Sequence, residues 1–90
     1  MSKSLRSPEH VALCELLISA RKSAGLTQAE VATRLKRPQS FVAKYEGGER
    51  RLDVIEFIEV VRVVGGDPAE VFDRLVRSVE SGRRADPQVR

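Results

Sequence analysis

The chain has 90 residues, 41% of them hydrophobic and 32% charged, with 16 Lys or Arg against 13 Asp or Glu and a formal net charge of +3. That length allows one domain with a small core, and no run of about 18 apolar residues is present to cross a membrane. The opening residues MSKSLRSPEH carry no apolar stretch behind Lys3 and Arg6, so no signal peptide is read there and a cytoplasmic protein is expected.

Residues 1–7 are expected to form a flexible N-terminal arm. Ser7-Pro8-Glu9 then predicts the start of a first helix, with a capping hydroxyl and a proline at the first helical position, and Gly25 predicts its end. His10 falls in the first turn with no acid or nucleophile motif around it and is expected at the surface. Cys14 has no second cysteine to bridge to, and no cysteine or histidine pattern suggests zinc. It is expected as a small core residue rather than a redox sensor. Thr27 and Glu30 stand at capping-box spacing and open a second helix. A third runs from Gln39 to Tyr45 and ends at Gly47-Gly48.

Residues 54–64, VIEFIEVVRVV, are rich in β-branched side chains that favour strands. Their polar residues Glu56, Glu59 and Arg62 nevertheless recur every three, Asp53 with Glu56 can cap a helix, and Gly65-Gly66 can end one. A fourth helix is predicted. Asp67-Pro68-Ala69-Glu70 opens a fifth, which carries one apolar stripe of Val71, Phe72, Leu75, Val76 and Val79 and fades near Ser81-Gly82. One face of the fourth helix should join Leu17, Ile18, Leu35, Val42 and Ile55 in the core, and the fifth helix or a second subunit should cover the other. The expected organisation is an all-α, five-helix domain over residues 8–81 with a flexible basic tail over 82–90.

The stretch TQAEVATRLKRPQSFVAKYEGGERRLD, residues 27–53, carries the functional information. Val31, Leu35 and Val42 fall at inward-facing sites, and the Ala32 methyl lets two helix axes approach closely. This is a helix-turn-helix arrangement, whose second helix can lie in a DNA major groove. The stretch closely resembles the lambda-repressor-like (Cro/Xre-type) family of bacterial and phage regulators. The resemblance rests on Leu26-Thr27-Gln28, on Gln39-Ser40-Phe41-Val42 and on Tyr45-Glu46-Gly47-Gly48-Glu49-Arg50-Arg51, and spans about residues 17–72. Lys36 departs from it, because the family usually has glycine at that point of the turn. A left-handed lysine costs about 1 kcal/mol, so the turn is either strained or remodelled.

Charge is polarised along the chain. Residues 34–51 hold Arg34, Lys36, Arg37, Lys44, Arg50 and Arg51 against Glu46 and Glu49, an excess of four, whereas residues 53–80 have a deficit of four. Such a run can be a solvated mixed face, but its coincidence with the helix-turn-helix favours a phosphate-facing patch. On the third helix Gln39, Ser40 and Lys44 share one outward face, and their side chains can bond adenine and guanine edges. The resemblance implies base contacts at these three positions. Phe41 is either a fourth reading residue, touching a thymine methyl, or part of the core. Gln28, at the start of the second helix, is expected to hold a phosphate, together with Arg37, Arg50, Arg51 and the backbone amides of Gly47 and Gly48. The resemblance further implies an ion pair between Arg21 and Glu46 that fixes the reading helix.

No catalytic constellation, metal site or cofactor motif is present in the sequence, so neither an enzyme nor a cofactor is expected. The resemblance implies a sequence-specific regulator of duplex DNA, bacterial or phage-encoded and nucleoid-associated. It would most simply be a repressor binding an inverted repeat as a homodimer through Val71, Phe72, Leu75, Val76 and Val79. An antitoxin or restriction-modification controller of the same fold, with a protein partner, is the alternative. A protein-interaction module without DNA binding is a third, opposed by the basic loop and the polar reading face.

Overall fold

The helices that begin at Pro8, Gln28 and Val54 start on side chains that accept from first-turn amides, whereas Pro38 gives the helix at Gln39 no such bond. The Ser7 hydroxyl accepts from His10 N at 3.1 Å, Thr27 Oγ1 from Glu30 N at 3.1 Å, and Asp53 Oδ1 from Glu56 N at 2.7 Å. Glu30 and Glu56 return the bond to the backbone of their own capping residues at 2.9 and 3.0 Å, completing two capping boxes. The computed structural model describes residues 7–85, with side chains to Ser81. Its elements are α1 (Pro8–Ser23), α2 (Gln28–Leu35), α3 (Gln39–Glu46), α4 (Val54–Val63) and α5 (Pro68–Ala85). The fold is all-α. No helix among the described residues is long and apolar enough to cross a membrane.

The first four helices end alike, with paired backbone bonds that satisfy otherwise orphaned carbonyls around one left-handed residue. After α1 these are Leu26 N to Arg21 O and Gly25 N to Lys22 O, and after α4 Gly66 N to Val61 O and Gly65 N to Arg62 O. After α2, Arg37 N donates to Ala32 O and Lys36 N to Thr33 O. Glycine fills the left-handed position after α1, α3 and α4, but Lys36 fills it after α2, at φ 60° and ψ 42°. Of the two outcomes open for that turn, the motif is kept and the lysine takes the strained conformation.

The β-branched α4 is helical because both its ends are secured. Besides its capping box, the Arg34 guanidinium donates to Val63 O at 2.7 Å, tying α2 to the end of α4. A Cβ on Gly66 would lie 3.0 Å from a Val61 methyl, so a side chain there would press on the buried Val61.

Leu17, Val31, Ala32, Phe41, Val42, Tyr45, Val60 and Val61 form the core, with Leu13, Leu35, Phe57, Val64 and Val71 among the partly buried side chains around it. Ile55 is not part of it: at 65% exposure it points outward. The inward face of α4 runs through Phe57, Val60, Val61 and Val64, and Ile55 shares the opposite stripe with Glu59 and Arg62. His10 also differs from expectation, being 6% exposed rather than at the surface. It lies one turn before Cys14, whose thiol is buried and donates to Tyr45 O at 3.3 Å. α5 folds back onto α1 and α4 and continues to Ala85, past Ser81-Gly82. Most of the expected arm and the end of the expected tail, residues 1–6 and 86–90, lie outside the described residues.

Candidate nucleic-acid interface

α3 divides cleanly between two environments. Phe41, Val42, Tyr45 and Glu46 are buried, whereas Gln39, Ser40, Ala43 and Lys44 are exposed and lie one turn apart on the opposite face. The sequence singled out three of those four. Ala43 was missed, although its spacing of four from Gln39 places it on the same stripe, and it presents a methyl between polar neighbours.

The buried face of α3 carries Glu46, the only buried acid among the described residues. Glu46 Oε2 accepts from Arg21 Nε at 2.7 Å and Glu46 Oε1 from Arg21 Nη2 at 3.0 Å, a two-pronged pair joining α1 to α3. Arg21 Nη1 also donates to Leu26 O at 2.9 Å, which fastens the end of α1 to the same guanidinium. The bond to Glu46 raises the Arg21 pKa above its ordinary value against the opposing effect of desolvation. Burial beside Glu46 likewise pushes the Tyr45 phenol up.

Gln28 extends this anchor towards the exposed face. Its Nε2 donates to Glu46 Oε1 at 2.9 Å, and its Oε1 accepts from Gln39 Nε2 at 3.5 Å, the long end of a hydrogen bond. The first residue of α2 is therefore coupled to the first residue of α3 through their amides, rather than pointing away alone from its helix end.

Phe41 sits in the core at 8% exposure, its ring meeting Tyr45 edge-on at 5.3 Å. Two guanidiniums cover it: the Cζ atoms of Arg37 and Arg50 lie 4.4 and 4.8 Å from the ring centroid. Both arginines meet Glu56. Arg50 binds it with both prongs at 3.0 and 2.9 Å, and Arg37 approaches at 3.5 Å. The Arg50 hydrogen bonds, reinforced by the Asp53 amide and the charge of Arg37, lower the Glu56 pKa from 4.5 to about 2. In the sequence Glu56 is marked only as a capping residue and as one of the recurring polar positions of α4. Its second role was hidden, because its partners lie 6 and 19 residues away.

Gly47 and Gly48 serve the turn. Gly47 N donates to Ala43 O at 2.9 Å and Gly48 N to Tyr45 O at 3.4 Å, so the amides expected to meet phosphate close α3 instead. A Cβ at Gly47 would lie 3.1 Å from Ala43 O, and Gly48 is buried at φ 79°. Arg51 and Lys36 are exposed beside this region, with Arg37 and Arg50 each more than a third exposed at the side chain. The resulting surface is a stripe of Gln39, Ser40, Ala43 and Lys44 with further cations around it.

Of the residues expected at a subunit interface, Val71 is packed against the domain's own core, and Leu75, Val76 and Val79 are half-buried. Phe72 remains 55% exposed, and Val54 and Ile55 at the start of α4 are 72% and 65% exposed. Leu13, Leu52, Val54, Phe57, Phe72 and Leu75 line an apolar groove at this end of the molecule.

Comparison with known proteins gives a family match and structural matches. The family described as a helix-turn-helix domain matches residues 12–75. An Xre-family-like protein from Pseudomonas syringae pv. tomato is similar at 49% identity and a TM-score of 0.77, over 84% of this chain and 93% of that one. The clp gene regulator ClgR from Corynebacterium glutamicum shares the fold, with a TM-score of 0.71 at 20% identity over 86% of this chain and 84% of its own. No curated protein is significantly similar in sequence.

Proposed function

The chain belongs to the Cro/Xre-type helix-turn-helix family of DNA-binding transcription regulators, and from that premise we propose that it is a repressor that binds an inverted-repeat operator as a homodimer. The observation that carries this is the exposed face of α3. Gln39, Ser40 and Lys44 supply donors and acceptors for base edges, and the exposed Ala43, rather than the buried Phe41, supplies a methyl for apolar contact. Arg37, Arg50 and Arg51 flank that face for phosphates, and Gln28 holds the Gln39 amide in place from α2.

One such helix contacts too few base pairs for strong specificity, which favours two copies on half-sites one helical turn apart. The exposed Phe72, Val54 and Ile55 offer a self-complementary apolar patch for that pairing. The interface is therefore centred on Phe72 and the start of α4 rather than on the whole α5 stripe.

The test is selection of binding sites from random duplex DNA. The expected product is an inverted repeat with half-sites roughly 34 Å apart. Its affinity should fall with salt at a log–log slope of about −5, for roughly six phosphate contacts. Enrichment of no sequence, or binding indifferent to salt, would remove the proposal. A single unrepeated half-site would remove the homodimer alone.

A further inference from the structure

Arg37 and Arg50 come from different segments, the turn after α2 and the loop before α4, yet one carboxylate gathers both. Glu56 binds Arg50 with two prongs and approaches Arg37 at 3.5 Å, and both guanidiniums rest on the Phe41 ring. The side chains of Arg37 and Arg50 are 41% and 38% exposed, against 13% for Glu56 beneath them. A guanidinium has five N–H donors, and Arg37 gives Glu56 only one bond. The cluster thus keeps unspent donors and a net charge of one, on a rigid aromatic floor.

We propose that Glu56 is a specificity-determining positioning residue, which holds Arg37 and Arg50 as one fixed phosphate-binding pair and thereby limits affinity for unselected DNA. This rests on the reading of the chain as a DNA-binding protein. An unrestrained arginine adapts to a phosphate wherever one lies, and each neutralised phosphate strengthens binding to every sequence equally. A pair fixed on Phe41 instead meets a phosphate only where the seating of α3 brings one to it, so its contribution depends on the base contacts being made. Without Glu56 the cluster gains a full positive charge and loses its fixed geometry. The first effect favours all DNA, and the second penalises the correct site. Glu56 stays ionised throughout the pH range in which DNA is bound, because its pKa lies at about 2.

The experiment compares affinities for two duplexes of equal length, the one enriched by selection and a scrambled version of it. Glu56→Gln keeps an acceptor for the Asp53 amide but removes the charge. It should raise affinity for the scrambled duplex about three- to tenfold and change the selected one by less than about twofold, with the salt slope steeper by about one. Glu59→Gln makes the same change of charge on the exposed stripe of α4, away from the arginines, and should strengthen both duplexes in parallel. Glu56→Asp keeps the charge and shortens the reach. It should also lower the ratio between duplexes, which a pure charge effect cannot do, and it keeps the test open if Glu56→Gln does not fold. An unchanged ratio in the Glu56 variants, or one matching Glu59→Gln, would overturn the proposal while a wild-type preference for the selected duplex upheld DNA recognition. Wild-type protein that bound neither duplex would overturn that reading itself, and this one with it.

Discussion

Two carboxylates organise opposite sides of the same helix-turn-helix, and they differ mainly in how much water reaches them. Glu46 and Glu56 each take a two-pronged arginine and a third donor that crosses to another segment. Around Glu46 the arginine and acid side chains are 13% and 5% exposed, whereas around Glu56 they are 38% and 13% exposed. Burial strengthens the attraction but makes a lone survivor expensive, and exposure leaves the cation able to serve a second partner. The inner pair therefore acts as a fastener for α1, α2 and α3. The outer one positions cations that remain within reach of solvent.

The largest test of this contrast is the removal of each acid. Glu46→Ala should lower stability by about 3 kcal/mol, since it strands Arg21 and also releases Gln28. Glu56→Ala should cost about 1 kcal/mol, most of it the lost reciprocal bond of the capping box. Urea unfolding of both variants measures the difference, and equal losses would break the comparison. Arg21→Ala combined with Glu46→Ala should lose less than the two single losses added together, because neither charge is then left alone.

A smaller effect sharpens the comparison at the turn that delivers Arg37 to the outer carboxylate. Lys36 holds the left-handed conformation that glycine fills after the other three of the first four helices. Lys36→Gly should raise stability by about 1 kcal/mol, read as a higher urea midpoint with an unchanged slope. A loss of stability would mean that the lysine side chain contributes more than its backbone strain costs.

What was legible in the sequence follows the range of the interactions. Capping boxes at Thr27-Glu30 and Asp53-Glu56 and the terminal glycines act within a few residues, so the helices could be read almost to their ends. The outward face of α3 followed from a helical period alone. Ile55 was misplaced because seven of the ten residues of α4 are apolar, and composition then cannot tell which of them turn inward. The Gly47 and Gly48 amides were misassigned because glycine permits both close approach to a ligand and a tight helix end, and only the backbone bonds decide between them. The cluster of Arg37, Phe41, Arg50 and Glu56 joins four positions with no common period, so nothing local announced it.

The smallest effect separates the outer carboxylate by its titration. The folded-state pKa of Glu56 is depressed, from 4.5 to about 2, first by Arg50, then by the Asp53 amide, with further help from Arg37. A depressed carboxylate contributes stability that is complete above its unfolded pKa and is lost as pH falls through the folded one. The Glu56 contribution should therefore be whole at neutral pH, decline below about pH 4.5, and be gone near pH 2. Glu30 is also lowered, through its bonds to Thr27, and titrates in the same direction. Wild-type melting temperature should consequently fall through this window, and Glu56→Gln should flatten part of that fall while the Glu30 share persists. Glu30→Gln added to Glu56→Gln should flatten it further. If the Glu56→Gln curve ran parallel to wild type from pH 5 to pH 2, Arg50 and Glu56 would not be paired in solution, and the outer half of the comparison would fail.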